Sequence, residues 1–340
     1  MKLLELQDPR WMEFVESRSD ATIFHHPAWA RLLAECYGYR AMVIANEDAA
    51  GLAAGMPVMD VSLPFRRRWV ALPFTDYCPP LVERDGEAFV AGVEDFARSS
   101  RLDLLEVRAP LRPGPVLRTG TPFVRHELPL VPDSRILWKQ LRRNHRRSVI
   151  DAEEAGVRIE RGASAEDLEV FYRLHLDTRR RLGVPIQPRR FFRLLLERII
   201  APGLGFVLTA YRGDRPAAAA VFAAWNGTLI CKYSARSDNF VKSDAIHLIF
   251  WSAIRWASEN GFRAFDLGRS NIEQAQLRSF KTGWGAREEP LPYSWITRAP
   301  IEYRERAPSR RLNVAMGVMI RNSAPWFCRA MGELLYKYAT

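Results

Sequence analysis

Residues 206–234 have the sequence FVLTAYRGDRPAAAAVFAAWNGTLICKYS, in which three apolar runs are separated by two turn signals. The runs at 206–211, 217–225 and 228–234 have the length and composition of buried strands. The first break is Gly213-Asp214-Arg215-Pro216, and the second is Asn226-Gly227, a dipeptide typical of tight hairpins. The pattern predicts three consecutive antiparallel strands.

The segments around this meander predict helices and one further strand. Helical periodicity covers 165–181 and 245–260, and a second helix at 189–200 ends before Pro202-Gly203. Ser164, followed three residues later by Asp167, is a weak capping signal for the first of them. The apolar run at 263–267 predicts a buried strand.

The first part of the chain repeats this order of helix, three strands, helix and strand. The predicted elements are a helix at 27–37, strands at 39–45, 52–61 and 69–74, a helix at 87–99 and a strand at 102–107. A repeat of about 150 residues favours duplicated α/β domains over one large sheet. With a boundary near 129–132, we predict domains at 1–130 and 131–299 and a tail at 300–340.

The composition is that of an ordinary globular protein. Of the 340 residues, 48% are hydrophobic and 26% charged, which excludes disordered, collagenous and disulfide-scaffold classes. No apolar run reaches the roughly 18 residues of a membrane-spanning helix, and the first nine residues do not fit a signal peptide. The four cysteines show no metal or disulfide spacing, so we expect reduced thiols and a cytoplasmic protein.

The positive charge is concentrated in the second part of the chain. The net charge is +11, with −3 in residues 1–130 (the front half) and +14 in residues 131–340 (the back half). Such asymmetry predicts an anionic partner, namely nucleic acid, an acidic lipid surface or a phosphate-bearing small molecule. A merely solvated basic surface is the alternative, and the abundance of arginine can also reflect a GC-rich genome.

The densest basic stretch predicts an amphipathic helix over 135–149. An apolar arc of Leu137, Trp138, Leu141, His145 and Val149 opposes six cations, and we interpret His145 as a packing residue. Phosphates along a nucleic acid or anionic lipid head groups would suit the other arc. Its members are Arg135, Lys139, Arg142, Arg143, Arg146 and Arg147.

Common catalytic motifs are absent. No metalloprotease, Walker, nucleophile-elbow or dinucleotide-binding motif occurs, and no serine or cysteine has a recognisable nucleophile setting. His25-His26 lacks a third ligand nearby, so we expect no metal. An enzyme with this sequence would join two bound substrates directly.

Several short motifs, taken in order, resemble the FemAB/FemX family of tandem acetyltransferase-fold proteins, and the back half resembles the BioF2-like acetyltransferase branch. The likeness covers roughly residues 20 to 298, with Pro79 where the family more often has glycine. The motifs are Leu72-Pro73-Phe74-Thr75-Asp76-Tyr77-Cys78-Pro79-Pro80, Arg142-Arg143-Asn144, Tyr172-Arg173-Leu174-His175, Gly183-Val184-Pro185, Tyr233-Ser234-Ala235, Phe265-Asp266-Leu267-Gly268-Arg269 and Phe280-Lys281 with Trp284-Gly285.

The resemblance implies an α/β protein of two tandem GNAT-like domains, each with a mixed, mainly antiparallel sheet flanked by helices. It implies transfer of an amino acid from aminoacyl-tRNA to an amine of a peptidoglycan precursor, or a related acylation in exopolysaccharide synthesis. A non-catalytic protein that binds envelope precursors or membranes is a third hypothesis.

The resemblance places Lys281 at the lysine thought to stabilise negative charge in the family's reaction, although an ordinary surface lysine is the alternative. Phe280 and Trp284 would exclude water there, and Tyr233 and Arg269 would support the oxyanion. Asp76 is the candidate base or amine-orienting group, or else a turn residue.

Four further residues are assigned to substrate binding. Asp266 would pair with Arg269 or cap a loop, and Tyr77 follows Asp76 in the same motif. Arg66 and Arg67, in the run 66–68, would hold a diphosphate of the acceptor or belong to a solvated loop.

The expected donor follows from the turn before the predicted helix 245–260. Acetyltransferases of this fold use a glycine-rich loop there to hold the coenzyme A pyrophosphate, whereas residues 236–245 contain no glycine, and Asp244 would repel the anion. We therefore expect aminoacyl-tRNA, bound by the basic arc and Arg179, with acyl-CoA as the alternative and no tightly bound cofactor.

The tail is basic at its start and then apolar. We expect a helix that packs on the body, with a helix lying on the inner face of a membrane as the alternative.

Overall fold

A computed structural model of the chain describes residues 1–111, 117–297 and 310–338. Residues 300–309 of the predicted tail lie outside this part. The described strands are β1 Lys2–Glu5, β2 Arg40–Asp48, β3 Gly51–Asp60, β4 Arg68–Val70, β5 Leu81–Val82, β6 Leu104–Val107, β7 Leu117–Pro129, β8 Val157–Gly162, β9 Gly205–Arg212, β10 Arg215–Trp225, β11 Thr228–Arg236, β12 Ala264–Asn271 and β13 Arg287–Thr297.

The described helices confirm most of the predicted ones. They are α1 Pro9–Ser17, α2 Pro27–Tyr37, α3 Gly86–Ser99, α4 Ser134–Gln140, α5 Arg143–Glu154, α6 Ala165–Leu182, α7 Arg189–Leu195, α8 Ala245–Glu259, α9 Ala275–Thr282, α10 Arg310–Asn322 and α11 Pro325–Leu335. Ser164 and Asp167 form a complete capping box at the start of α6, so the weak sequence signal is confirmed.

One sheet runs through both halves of the chain. Its order is β1-β2-β3-β4-β6-β13-β7-β12-β11-β10-β9-β8, and β5 pairs with β3 beside this path. The order and polarity repeat about the central β13/β7 pair. The neighbours along this path are antiparallel except for β4/β6 in the front half and β11/β12 in the back half. The repeated element order therefore corresponds to two copies of one strand arrangement.

The two copies are joined because each takes its last strand from the other. β7 follows β6 in the chain but pairs with β12, whereas β13 follows β12 but pairs with β6. The predicted duplication, with a mixed and mainly antiparallel sheet in each copy, is confirmed, and the exchange joins the two copies into one continuous sheet. The exchange pairs the long β7 and β13 with each other, so that neither half presents an open sheet edge at the junction.

The predicted strand at 69–74 is shorter in the structure. β4 ends at Val70, and the chain then turns at Leu72 and Phe74, whose φ angles are 55° and 60°. Thr75 Oγ1 donates to the Leu72 carbonyl at 2.6 Å and stabilises this turn. The turn directs Asp76 away from the front-half sheet and towards the back half.

The predicted helix over 135–149 is interrupted. α4 ends at Gln140, and Leu141 and Arg142 have extended backbone before α5 begins. The break occurs because the Arg142 amide donates to the Gly283 carbonyl at 2.9 Å. The Arg146 guanidinium donates to the Lys139 and Leu141 carbonyls, which are unpaired at the end of α4.

The tail helices α10 and α11 pack on α6, as expected, through buried Gly317, Ile320, Cys328 and Gly332. Their other faces are exposed and largely apolar, including Val314, Val318, Met319, Trp326 and Leu334. No helix among the described residues is long and apolar enough to span a membrane.

Candidate functional site

The front-half loop that carries Asp76 enters an opening in the back-half sheet. β11 and β12 pair only from Thr228 to Ile230 and from Ala264 to Asp266, and then separate. Gly268, on the separated part of β12, has a φ of 73°, and a Cβ built on it would lie 2.9 Å from Asp76 Oδ2. The carboxylate therefore occupies the space that a side chain at 268 would need.

Lys232 on β11 lies next to Asp76 and was not identified from the sequence. Its Nζ donates to the Phe74 carbonyl at 2.8 Å and lies 3.9 Å from Asp76 Oδ2. The side chain is 5% exposed, and burial lowers its pKa although the charge of Asp76 opposes this shift. The available signal was a lysine within an otherwise apolar strand, Leu229-Ile230-Cys231-Lys232-Tyr233.

Arg269 holds the other side of Asp76. Its Nε lies 3.6 Å from Asp76 Oδ1, and its Nη1 donates to the Tyr293 hydroxyl at 2.7 Å. That hydroxyl donates in turn to the Asp76 backbone carbonyl at 2.6 Å. The predicted residues Asp76 and Arg269 are thus brought together, with Tyr293 fixing their separation.

Asp76 is ionised at neutral pH despite its surroundings. Burial opposes the charge, but Lys232, Arg269, Lys281 and Arg108 together hold the pKa of Asp76 below its usual value. A carboxylate that remains charged in this setting can accept a hydrogen bond from a substrate amine and orient it, while the surrounding cations favour the neutral form of that amine.

These residues line a cleft of about 430 Å³ between the front-half loop, β11, β12 and the tail. Arg179, Lys232 and Arg269 oppose the single lining carboxylate of Asp76, so the cleft is net positive. Arg179 was predicted to contact tRNA, and it donates from Nη2 to the Pro185 carbonyl at 2.8 Å. The remaining lining residues are Phe74, Thr75, Val184, Pro185, Gln187, Tyr233 and Tyr336.

Tyr233, a predicted site residue, lies in this cleft. Its ring packs near Phe191 and His175, and burial holds its pKa well above the usual value. It is therefore a neutral phenol. Cys231, two residues before it, is also protonated because burial raises its pKa to about 12, so the thiol is no candidate nucleophile.

Lys281 lies behind the cleft and is not among its lining residues. It is 7% exposed, and its Nζ donates to the carbonyls of Gly268 at 2.9 Å and Arg269 at 2.8 Å. Burial lowers its pKa, and the charge of Asp76 opposes this effect. Lys281 therefore fixes the bend in β12 that places Arg269 and leaves room for Asp76.

The aromatic residues predicted beside Lys281 belong to the hydrophobic core. Trp284 is fully buried, and its ring lies 4.8 Å from that of His145 and 5.7 Å from that of Phe250. Phe280 packs in the same cluster. His145 accordingly has the packing role predicted for it.

Two other assigned residues contact Arg125 rather than the cleft. Asp266 accepts from the Gly268 amide at 2.7 Å, which is the loop-capping alternative predicted for it, and it pairs with Arg125, whose Nε donates at 3.0 Å, rather than with Arg269. The Arg125 guanidinium also lies over the Tyr77 ring at 5.0 Å.

Arg66 and Arg67 are exposed on the hairpin between β3 and β4 and do not line the cleft. Arg68 turns inward and forms an ion pair with Glu106 at 2.9 Å.

The cations of the basic segment divide into three groups. Arg142 and Arg146 are bound by the protein itself, the former through Ser279 and Thr282. Arg135 pairs with Asp133, Arg147 pairs with Asp151, and Arg143 and Lys139 are exposed. The basic surface is therefore smaller than the sequence suggested.

In the described ranges, no group of three or more potential ligands could hold a metal ion. His25 is buried, and its Nε2 lies 2.8 Å from the Pro79 carbonyl.

Comparisons with known proteins support the predicted acetyltransferase fold. Residues 139–281 match the family described as "Acetyltransferase (GNAT) domain", whereas no curated protein sequence matches the chain. The fold is similar to that of FemX, with a TM-score of 0.69, 13% identity and coverage of 88% of this chain and 98% of that one.

Two further structures share the fold. One is the C-terminal domain of a putative lysylphosphatidylglycerol synthetase from Agrobacterium fabrum, with a TM-score of 0.57 and 14% identity over 85% of this chain and 91% of that one. The other is a tandem GNAT protein from the clavulanic acid biosynthesis pathway, with a TM-score of 0.53 and 10% identity over 88% and 99%. The back half thus contains a segment that matches an acetyltransferase (GNAT) domain, the chain has the tandem fold seen in FemX, and these findings support an acyltransferase.

Proposed function

We propose that the protein forms an amide between an activated acyl group, preferably carried by aminoacyl-tRNA, and an amine of a cell-envelope or polysaccharide precursor. The observation that carries this proposal is the partly buried Asp76 carboxylate between Lys232 and Arg269 in a net positive cleft. The fold shared with FemX and with a putative lysylphosphatidylglycerol synthetase domain supports the aminoacyl donor.

Asp76 binds and orients the acceptor amine. Its lowered pKa makes it a weak base, so its main contribution is to hold the amine beside the acyl carbon. The neutral amine nitrogen attacks that carbon and forms a tetrahedral intermediate. The ester C–O bond then breaks, and the departing tRNA oxygen takes up the proton lost by the nitrogen and leaves as a hydroxyl.

Lys232 stabilises the oxyanion that develops during the attack. Its ammonium uses one N–H on the Phe74 carbonyl, so two further donors are available towards the cleft. A fixed cation in a water-poor site interacts strongly with developing negative charge. Lys281, predicted for this role, instead acts as a positioning residue through the Gly268 and Arg269 carbonyls.

The turn before α8 supports tRNA over coenzyme A as the donor. Asp244 lies at the helix N-terminus, 3.2 Å from His247 Nδ1, and Asp238 pairs with Arg181. Carboxylates at this end of a helix oppose binding of a pyrophosphate there. The exposed Lys139 and Arg143 and the positive back half suit a nucleic acid backbone.

An acyl-CoA-dependent N-acyltransferase of exopolysaccharide synthesis is the second candidate. It is favoured by the match of residues 139–281 to an acetyltransferase domain and by the fold shared with the tandem GNAT protein of the clavulanic acid pathway. Calorimetry with coenzyme A and with tRNA separates the two donors, because saturable coenzyme A binding without tRNA binding would replace the first proposal by the second.

The deciding experiment measures transfer of labelled acyl groups from a panel of aminoacyl-tRNAs and acyl-CoAs to a generic amine. Lys232→Met should lower the rate by about 10²-fold or more, whereas Lys2→Met, which removes an exposed lysine, should leave it unchanged. Full activity of a folded Lys232→Met protein would refute the assigned role.

A further inference from the structure

The hairpin between β3 and β4 presents apolar side chains at its tip. Leu63 and Arg66 exchange two backbone hydrogen bonds of 3.0 Å, which leaves Pro64 and Phe65 at the turn. Leu63 is 51% exposed, and Phe65 is fully exposed. These residues make no contribution to a core that would explain their hydrophobic character.

Phe65 also has an unfavourable backbone conformation. Its φ of 69° lies in the left-handed region, and the position after a proline in such a turn is usually glycine or asparagine. A bulky residue there costs folding free energy. The fold alone would therefore favour glycine at this position.

Cations surround the base of the apolar tip. Arg66 and Arg67 are exposed on the same hairpin. Leu63 and Arg66 line a cavity of about 290 Å³ together with Lys337 and Tyr338 of the tail, and Asp60 is the carboxylate on its wall. Leu334 and Leu335, which precede Lys337 in the chain, are also exposed. The exposed apolar residues at the tip of the hairpin thus have mostly positively charged side chains around them.

We propose that the hairpin 62–67 and the adjoining tail residues 334–338 form a docking surface for an anionic lipid bilayer. Phe65 and Leu63 enter the interfacial region, and Arg66, Arg67 and Lys337 contact lipid phosphates. The charge favours anionic lipid. A bilayer suits the tip better than nucleic acid does, because the aliphatic side chain of Leu63 gains by entering an apolar phase, whereas base stacking would use only the ring of Phe65.

The surface adjoins the cleft but does not depend on its chemistry. Tyr336 lines the cleft, and Lys337 and Tyr338 line the hairpin cavity. Docking would therefore hold the cleft near the membrane whichever acyl donor is used.

The test is co-sedimentation of the full chain with vesicles of phosphatidylcholine alone or mixed with phosphatidylglycerol. We expect binding only to the anionic vesicles, and weaker binding at high salt. Phe65→Gly should lower the partition coefficient about tenfold or more, while its melting temperature stays equal or rises because glycine accommodates the φ angle. Arg66→Glu with Arg67→Glu should lower binding at least as much.

Matched controls are Ile136→Ser, which removes an exposed apolar side chain on α4, and Arg98→Glu, which reverses an exposed arginine on α3. Both should bind vesicles like the unmodified protein. Unchanged binding by Phe65→Gly would overturn the proposal, as would a large fall in its melting temperature. If the double arginine variant lost tRNA binding and kept vesicle binding, the surface would be a nucleic-acid site instead.

Discussion

The carboxylate of Asp76, from the front half, lies 3.9 Å from the ammonium of Lys232, from the back half. The two residues are separated by more than 150 positions in the chain, and the side chain of Lys232 is 5% exposed while that of Asp76 is 27% exposed. The site therefore exists only in the exchanged two-part sheet.

Asp76→Asn should abolish most of the acyl transfer while the protein remains folded. The amide is a weaker acceptor for the amine N–H and no longer balances the charges of Lys232 and Arg269, so we expect kcat/KM to fall by about 10²-fold or more. Steady-state kinetics with varied amine acceptor measure this change. An unaltered kcat/KM for the acceptor would contradict the role of Asp76.

Gly268→Ala should reduce activity because the new methyl group would contact Asp76 Oδ2. Its φ of 73° adds a folding cost of about 1–2 kcal/mol. Gly156→Ala is the matched control, since Gly156 has a φ of 71° and nothing within 4 Å of the added Cβ. Urea unfolding should show a similar loss for both variants, whereas only Gly268→Ala should lose activity.

Lys281→Met should destabilise the protein as well as slow the reaction. Two carbonyls on the bend of β12 would lose their partner, which costs about 1–3 kcal/mol for each buried group left unpaired. Denaturant unfolding measures the loss. If Lys281→Met left the free energy of unfolding unchanged but abolished transfer, Lys281 would be a direct participant rather than a positioning residue.

Stability should fall as pH decreases from about 6.5 towards 4. Burial lowers the pKa of His25 to about 4 and that of His175 to about 3. Both histidines are therefore neutral in the folded chain but take up protons when unfolded below about pH 6.5, so each contributes a slope of about 1.4 kcal/mol per pH unit. Unfolding at pH 7 and 5 measures the slope, and His175→Gln should flatten it. A slope of the opposite sign would contradict the burial of these groups.

The basic segment should contain arginines of two kinds. Arg143→Ala, at an exposed position, should weaken tRNA binding and lower its salt slope by about 1, with no change in stability. Arg142→Ala should instead lower the free energy of unfolding, because its side chain binds Ser279 and Thr282. Filter binding at several salt concentrations, together with melting curves, distinguishes the two; equal effects on both measurements would contradict this division.

Local sequence patterns were sufficient to predict most helices and strands and their repeated order. Turn residues and apolar periodicity are short-range signals, and they located the meander at 206–234, the helix capped by Ser164 and the helix before Gly261. The motifs also directed attention to Asp76, Tyr233 and Arg269, which the fold brings into one cleft.

Contacts between residues that are distant in the chain could not be predicted from the sequence and were found only in the folded protein. The exchange of β7 and β13 depends on pairing between distant strands, which no local pattern records. The same long-range packing buries Lys281 behind β12 and Trp284 in the core. It also places Lys232 in the wall of the cleft. The chemical type of each side chain follows from the sequence. The polarity of its surroundings and its contact partners, which set its role, arise only in the folded chain, where the two halves pack together.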